Sequence, residues 1–451
     1  MNIVIIGYGK VGSELSSALT REGHDVIVID NDPSSLKFSR NMHDIMFVEG
    51  NGATYSIQKE AGVESADILI ACTSSDEVNM LCCLLAKKLG AKKAIARVRN
   101  PEYYDYLGHI KSDLGLSMAI NPELYAAEEI SRVIISPAAA KVELFCRGRV
   151  ELVEYIIDDD SPLDEMSLID INRKMGAKVL ICAVQRGDEI FIPSGNFVLK
   201  KKDKIHISAS HKEIKRFFKI VEPATEKIKN VLIVGGGRIG YYLAKQLIGL
   251  GMSVKIIESR EEQCDLLCDL LPKATIIHGD ASDHTLLKEE GIDSFDAFVA
   301  LTGSDEENMI LSLYAKHIEK MKVITKINSA SYTGIAGGLD IDTVISPKAV
   351  TLNHVLGYVR AIENSRGSNV ETVYRLVNGH VEILEFTVKE NGAYVGVPLK
   401  DLKLKKNLLI ACIVRGNKII IPDGSEQIML DDTVIIATSN RRFGDLGEIL
   451  E

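Results

Sequence analysis

The chain has 451 residues, 46% of them hydrophobic and 26% charged, with a net charge of −10 at neutral pH. That length spans about three or four ordinary domains, and the composition is that of a globular protein with a sizeable core. The acidic balance argues against a nucleic-acid partner, since no basic stretch offsets it, and no apolar run approaches the roughly 18 residues of a membrane span.

The first predicted strand, Asn2–Ile6, begins at once, so no cleaved leader is expected and a cytoplasmic location is. It runs into Gly7-Tyr8-Gly9-Lys10-Val11-Gly12, and Val11, Leu15, Ala18 and Leu19 then form an apolar stripe at helical spacing. Each glycine has its own task at that spacing. Gly7 allows the strand-to-helix turn, Gly9 lets a pyrophosphate approach the backbone, and Gly12 lets helix and strand pack closely. The helix N-terminus at Lys10 presents free N–H groups to an anion. Further strands are expected near 25–29, 45–48, 67–71, 94–98 and 117–120, apolar throughout and separated by helices. That alternation implies a parallel sheet covered on both faces. A helix over Pro122–Ile135, with Leu124, Ala127, Ile130 and Ile134 on one face, closes this part before Pro137.

Residues 141–221 change character. Strand-like runs at 152–157, 179–184, 189–192 and 204–208 are broken by turns such as Arg186-Gly187-Asp188, which reads as a small α+β module. A polar linker, 222–226, follows. The second half then repeats the first: Gly235-Gly236-Gly237-Arg238-Ile239-Gly240 follows the strand Val231–Val234, Asp76-Glu77-Val78-Asn79 returns as Asp305-Glu306-Glu307-Asn308, and Asn121-Pro122 as Ser346-Pro347. Agreement over both modules indicates an internal duplication, with domain limits expected at 1–136, 137–222, 229–363 and 364–451.

Asp30 ends the second strand about twenty residues after the glycines, where a carboxylate accepts ribose hydroxyls, and Glu258 holds the same place in the second copy. An acid there disfavours a 2′-phosphate and selects NAD or an adenine nucleotide over NADP, although Arg260 stands beside Glu258. Thr73-Ser74 and Thr302-Gly303 form the far lip of each crevice, and Gly50-Asn51 and Gly279-Asp280 the adenine side. Arg97 and Lys326 end the fifth strands and are candidates to face phosphates; Lys10 and Arg238 share one position inside the glycine turns, which suits ATP or ADP as well as NAD(H). The alternatives are solvated strand-end acids and ordinary surface bases. The Asp-Glu-x-x-Asn repeats start helices and read as first-turn acids rather than metal ligands. Eight cysteines, including the Cys264-x-x-x-Cys268 pair, read as buried free thiols. A dehydrogenase needs a general acid/base at the nicotinamide end, and no histidine recurs at matching places in both halves. An NAD-dependent oxidoreductase with a degenerate second half is therefore the lesser reading, and catalytic and metal sites are expected to be none.

Taken together, Gly7–Gly12, Asp30, the run Thr73-Ser74-Ser75-Asp76-Glu77-Val78-Asn79 and Arg97-Val98-Arg99-Asn100-Pro101-Glu102-Tyr103 resemble the peripheral TrkA family of Trk-type potassium uptake, with tandem RCK (TrkA-N) domains each followed by a TrkA-C module. The resemblance covers essentially the whole chain. Departures are Asn51-Gly52 in place of the usual Asp-Ala, and Lys326 and Asn328 in place of two arginines. It implies two Rossmann-like, doubly wound α/β domains, each with a small α+β module. It also implies a cytoplasmic, nucleotide-sensing regulator, homotetrameric and peripheral to the membrane, whose partner is a membrane potassium transporter of the Trk type. The apolar stripes of Pro122–Ile135 and of its counterpart (Leu352, Val355, Leu356, Val359, Ile362) are expected to cross between nucleotide-binding units.

Overall fold

The computed structural model describes residues 1–33, 44–146, 148–222, 227–318, 321–336, 338–339, 341–364, 370–376, 380–439, 443 and 445–451. Most of the predicted linker, 223–226, lies outside the described residues. The first half opens with β1 (Asn2–Ile6), β2 (Asp25–Asp30), β3 (Ile45–Glu49), β4 (Ile68–Ala71), β5 (Lys93–Arg97) and β6 (Met118–Ile120). They form one sheet in the order β3-β2-β1-β4-β5-β6, and every pairing is parallel. This is the doubly wound arrangement, with its switch point between β1 and β4. Ile3, Val4, Ile5 and Ile6 are buried on both sides of the sheet, which is why the strand shows no polar alternation.

The duplicate repeats this plan. β12 (Asn230–Val234), β13 (Ser253–Glu258), β14 (Thr275–His278), β15 (Ala297–Ala300), β16 (Lys322–Lys326) and β17 (Thr343–Ile345) pair in parallel in the order β14-β13-β12-β15-β16-β17. The two sheets therefore place their glycine turns in equivalent positions.

Each unit is followed by a five-stranded antiparallel sheet. The first comprises β7 (Lys141–Phe145), β8 (Val150–Ile156), β9 (Leu180–Arg186), β10 (Glu189–Phe191) and β11 (Lys204–Ser210), ordered β10-β9-β11-β8-β7. The second has β18 (Val370–Leu376), β19 (Val381–Thr387), β20 (Leu408–Arg415), β21 (Lys418–Ile420) and β22 (Thr433–Thr438), ordered β18-β19-β22-β20-β21. Two helices of the first module escape the sequence pattern. Ser167 and Ser210 cap Leu168–Lys174 and His211–Val221 by accepting from Asp170 and Glu213 N–H, a serine followed three residues on by an acid. One face of each sheet packs on its own module's elements. The other faces meet, burying Phe145, Leu152 and Cys182 against Ile383, Cys412 and Ile435.

The helices Pro122–Ile135 and Pro347–Asn364 do cross. Ala126, Ala127, Ile130, Val133 and Ile134 join the core of the second unit beside Tyr242 and Leu243. Val355, Leu356 and Val359 join the core of the first beside Leu15 and Leu19. Burying a full Val or Ile side chain contributes about 1.5–3 kcal/mol, so each helix holds the opposite unit firmly. Asn121 caps the first crossing helix and also donates to the Tyr242 hydroxyl at 2.9 Å. Seven of the eight cysteines are buried and all are free, but Cys268 is exposed. It lies one turn beyond the buried Cys264, near the C-terminal end of the helix Glu261–Leu270. No described helix is long and apolar enough to cross a membrane.

Candidate functional site

The two glycine turns are built alike. Gly7 has φ 97° and Gly235 φ 102°, a region that favours glycine. A Cβ on Gly12 would stand 1.9 Å from the Gly7 carbonyl oxygen, and one on Gly240 would stand 2.4 Å from that of Gly235. The third glycine is thus fixed by helix–strand packing. By contrast, a Cβ on Gly9 or Gly237 would meet nothing within 4 Å. That open ground lies at the start of the helices Lys10–Arg21 and Arg238–Gly249. Neither helix has a side-chain cap or an acid in its first turn, whereas Ser75, Asn100 and Asn121 cap the neighbouring helices. Uncapped N–H groups beside open space are what a phosphate needs.

The strand-end acids brace these turns. Asp30 accepts from Tyr8 N–H and from Asp32 N–H at 2.8 Å, and the Tyr8 ring rests edge-on against Phe47. Glu258 accepts from Gly236 N–H at 2.9 Å, while Arg260 donates to its second oxygen through N–H and Nε at 3.0 and 3.1 Å. Burial by itself raises the Glu258 carboxyl, but the backbone donors Arg260 and Gly236 and the Arg260 side chain hold it below its usual value. A carboxylate offers about four acceptor sites, so with three bonds made Glu258 can accept at most one more, while the two bonds given for Asp30 leave it more room. Gln263, which the sequence pattern did not single out, donates to the Gly236 carbonyl at 2.9 Å.

The Thr-x-x-Asp-Glu-x-Asn run has a structural explanation. Asn79, wholly buried, accepts from Thr73 N–H at 2.8 Å and Thr73 Oγ1 at 2.7 Å, and donates to the Arg97 carbonyl at 2.9 Å. Asp76 accepts from Arg99 and Asn100 N–H, both at 2.8 Å. In the second unit Asn308 joins Thr302 to Lys326, and Asp305 accepts from Asn328 and Ser329 N–H. These residues tie the ends of the fourth and fifth strands together and so shape the lip. No cluster able to hold a metal occurs among the described residues. Asn51 and Asp280 at the third strand ends accept from Ala53 and Ser282 N–H and stabilise their own turns.

Arg97 donates to the Thr73 carbonyl and Arg99 to the Ser74 carbonyl; Lys326 donates to Leu301 and Thr302 carbonyls. Burial depresses both Arg97 and Lys326, Arg99 adding to the effect at Arg97. These side chains converge on a cavity of about 390 Å³ between the two units, lined also by Lys10, Val11, Arg238, Ile239 and Lys348. Glu123 is its acid, raised by burial against the pull of Arg99, Arg238 and Arg97. A second cavity, about 510 Å³, runs over Gly235, Gly237, Glu258, Asp280, Thr302, Gly303 and Lys326. Of the candidates in the first half, Lys10, Val11 and Arg97 line the cationic cleft between the units, and Gly237 and Lys326 of the second cavity line it too. Arg99, Glu123, Asn328 and Lys348 line the same cleft without being sequence candidates; the paired Pro122-Glu123 and Pro347-Lys348 are the available signal.

The TrkA-N domain model matches residues 3–122 and 231–347, and the TrkA-C domain model residues 152–222 and 383–451. The Trk system potassium uptake protein TrkA homolog of Archaeoglobus fulgidus is 36% identical over 436 residues, 97% of each chain. The TrkA of Halomonas elongata is 33% identical over 458 residues, covering 100% of this chain and 99% of its own. Among solved structures, the GsuK channel superposes with TM-score 0.65 at 17% identity, over 97% of this chain and 76% of its own. The form described as bound to NAD gives 0.64, again at 17% identity and the same coverage. These likenesses show the fold. With both domain models matched twice in tandem and full-length relatives at this identity, the chain belongs to the TrkA family of Trk-system potassium uptake proteins.

Proposed function

We propose that this chain is the cytoplasmic regulatory subunit of a Trk-type potassium-uptake system, and that it senses NAD(H), ATP and ADP at its two glycine turns. The protein is a transport component, not an enzyme. The single observation that carries the reading is the cleft: two uncapped helix N-termini and the bases Lys10, Arg97, Arg99, Arg238, Lys326 and Lys348 share one space between units. A dinucleotide's pyrophosphate would lie over Gly9 or Gly237, its ribose against Asp30 or Glu258, with the Thr73-Ser74 or Thr302-Gly303 lip opposite. In this role the nucleotide is a signal. A longer phosphate chain reaches further into the positive cleft, so ligands differing in charge favour different separations of the two units. That differential affinity is the source of any shape change.

The functional bodies we infer are residues 1–136, 137–222, 229–363 and 364–451. The crossing helices lock the two units into a pair, and four such chains make a closed ring of eight units. The ring passes its shape to a membrane potassium transporter, on whose inner face it docks. Reconstituting that transporter with this protein tests the reading: potassium flux should differ between ATP and ADP or NAD(H). Flux indifferent to nucleotide, with the protein a monomer by light scattering, would refute it.

A further inference from the structure

Glu22, Arg360 and Glu382 come from three bodies of the chain and meet in one buried triad. Arg360 Nε and Nη2 donate to the two carboxylate oxygens of Glu22 at 2.9 and 2.8 Å, and Nη2 lies 3.8 Å from Glu382 Oε1. The three side chains are only 11–14% exposed. A planar guanidinium gripped by both oxygens of a carboxylate fixes orientation as well as distance. Buried, the pair is little weakened by salt.

The placement of the three residues matters more than the ion pair itself. Glu22 caps the C-terminal end of the helix Lys10–Arg21, which begins directly after Gly9. Twelve helical residues span about 18 Å, so the open phosphate ground and the triad stand at opposite ends of one rigid rod. Leu15 and Leu19 on that rod pack against Val355 and Val359 of the crossing helix, and Lys348 reaches Glu14 at 3.5 Å. Arg360 ends this contact, and Glu382 lies on β19 inside the second module's sheet. A tilt of the rod reaches that sheet by two routes, the crossing helix that packs on β18 and the Arg360 side chain that links Glu22 to Glu382 on β19.

The duplicate lacks this tie. The residue matching Glu22 in the second half is Leu250, and the residue matching Arg360 in the first crossing helix is Ile135; they are 56% and 47% exposed. The second unit instead grips the chain leading to the first module by its sheet. Lys322 Nζ donates to the Ala139 carbonyl at 2.9 Å and Thr343 Oγ1 to that of Ala140 at 3.0 Å. We infer that Arg360 is a positioning residue that couples the first nucleotide site, and not the second, to the second module. The two sites are thus unequal in output although they descend from one unit. The inference rests on the nucleotide-binding reading above.

The test uses the full chain with Cys268→Ser and spin labels at Lys59→Cys in the first unit and Lys403→Cys in the second module, both exposed positions. Labelled chains are diluted with unlabelled ones, and the inter-label distance is measured with and without saturating NADH, alongside calorimetric affinity. The expected result is a ligand-dependent shift in the parent protein that survives Gly237→Val but disappears in Arg360→Met, with NADH affinity changed less than threefold. Glu22→Gln, which leaves Arg360 its contact with Glu382, should also lose the shift and guards against a folding defect in Arg360→Met. A full shift in either folded, NADH-binding variant overturns the inference, as does a parent protein that binds NADH without any shift. Failure of the parent to bind NADH at all overturns the functional reading and the inference with it.

Discussion

Gly9 gives the sharpest test of the nucleotide site, because at that position folding and binding make different demands. Its backbone is extended, with φ −67° and ψ −169°, and a Cβ there meets nothing within 4 Å. Gly9→Val should therefore fold, with stability within about 0.5 kcal/mol of the parent. The same side chain stands where a pyrophosphate must approach the uncapped N–H groups. A hydrogen bond to a charged group contributes about 1.5–3 kcal/mol, so losing even one weakens binding roughly 10- to 150-fold. Gly12→Ala is the opposite case. Its methyl group would stand 1.9 Å from the Gly7 carbonyl oxygen, and relieving such overpacking costs about 1–3 kcal/mol of stability. Calorimetric titration with NADH and with ADP, next to denaturation curves, separates the two. The first-site isotherm should vanish in Gly9→Val while its unfolding curve stays put. Unchanged affinity for both ligands in a folded Gly9→Val protein would refute the assignment.

Three further outcomes follow from the geometry. Asp30→Ala should weaken NAD binding by about 1–3 kcal/mol and loosen Tyr8, whose N–H it accepts; a protein that prefers NADP to NAD would contradict the role given to both strand-end acids. Asn79→Ala strips its partners on Thr73 and Arg97 in a fully buried spot, so denaturation should show a loss of about 2–4 kcal/mol, or one to two ordinary buried bonds with their desolvation. Glu129 is buried, and desolvation lifts its carboxyl to about 7, against the pull of Lys141 and with the push of Glu143. Its folded value thus lies above the ordinary 4.5, so its stabilising contribution is complete below pH 4.5 and lost as pH rises through 7. Glu129→Gln should flatten that part of the stability–pH curve and gain most on the parent near pH 8; a curve unaltered between pH 4.5 and 8 would refute the burial argument.

What was legible in the sequence was local or repeated. A turn needing positive φ, helices with an apolar stripe and strands apolar on both faces are set by neighbours a few residues apart. The glycine runs, Asp30, Glu258 and both crossing helices could therefore be placed from the order of the residues alone. The duplication strengthened each assignment by stating it twice. β7 shows where local pattern fails. In Lys141-Val142-Glu143-Leu144-Phe145 the acid Glu143 is buried and Leu144 is 38% exposed, the reverse of the usual rule. Lys141, 2.8 Å from Glu143, makes the inversion tolerable, and only the fold sets those charges among Glu129 and Glu154. The Thr-x-x-Asp-Glu-x-Asn run was recognisable as a signature, yet its work of joining two strand ends needed the partners at Arg97 and Lys326 to be seen. The shared cleft and the Glu22–Arg360–Glu382 triad are furthest from the sequence. They depend on charges far apart in the chain that meet because helices exchange between units, and no window of residues encodes a neighbour it does not contain.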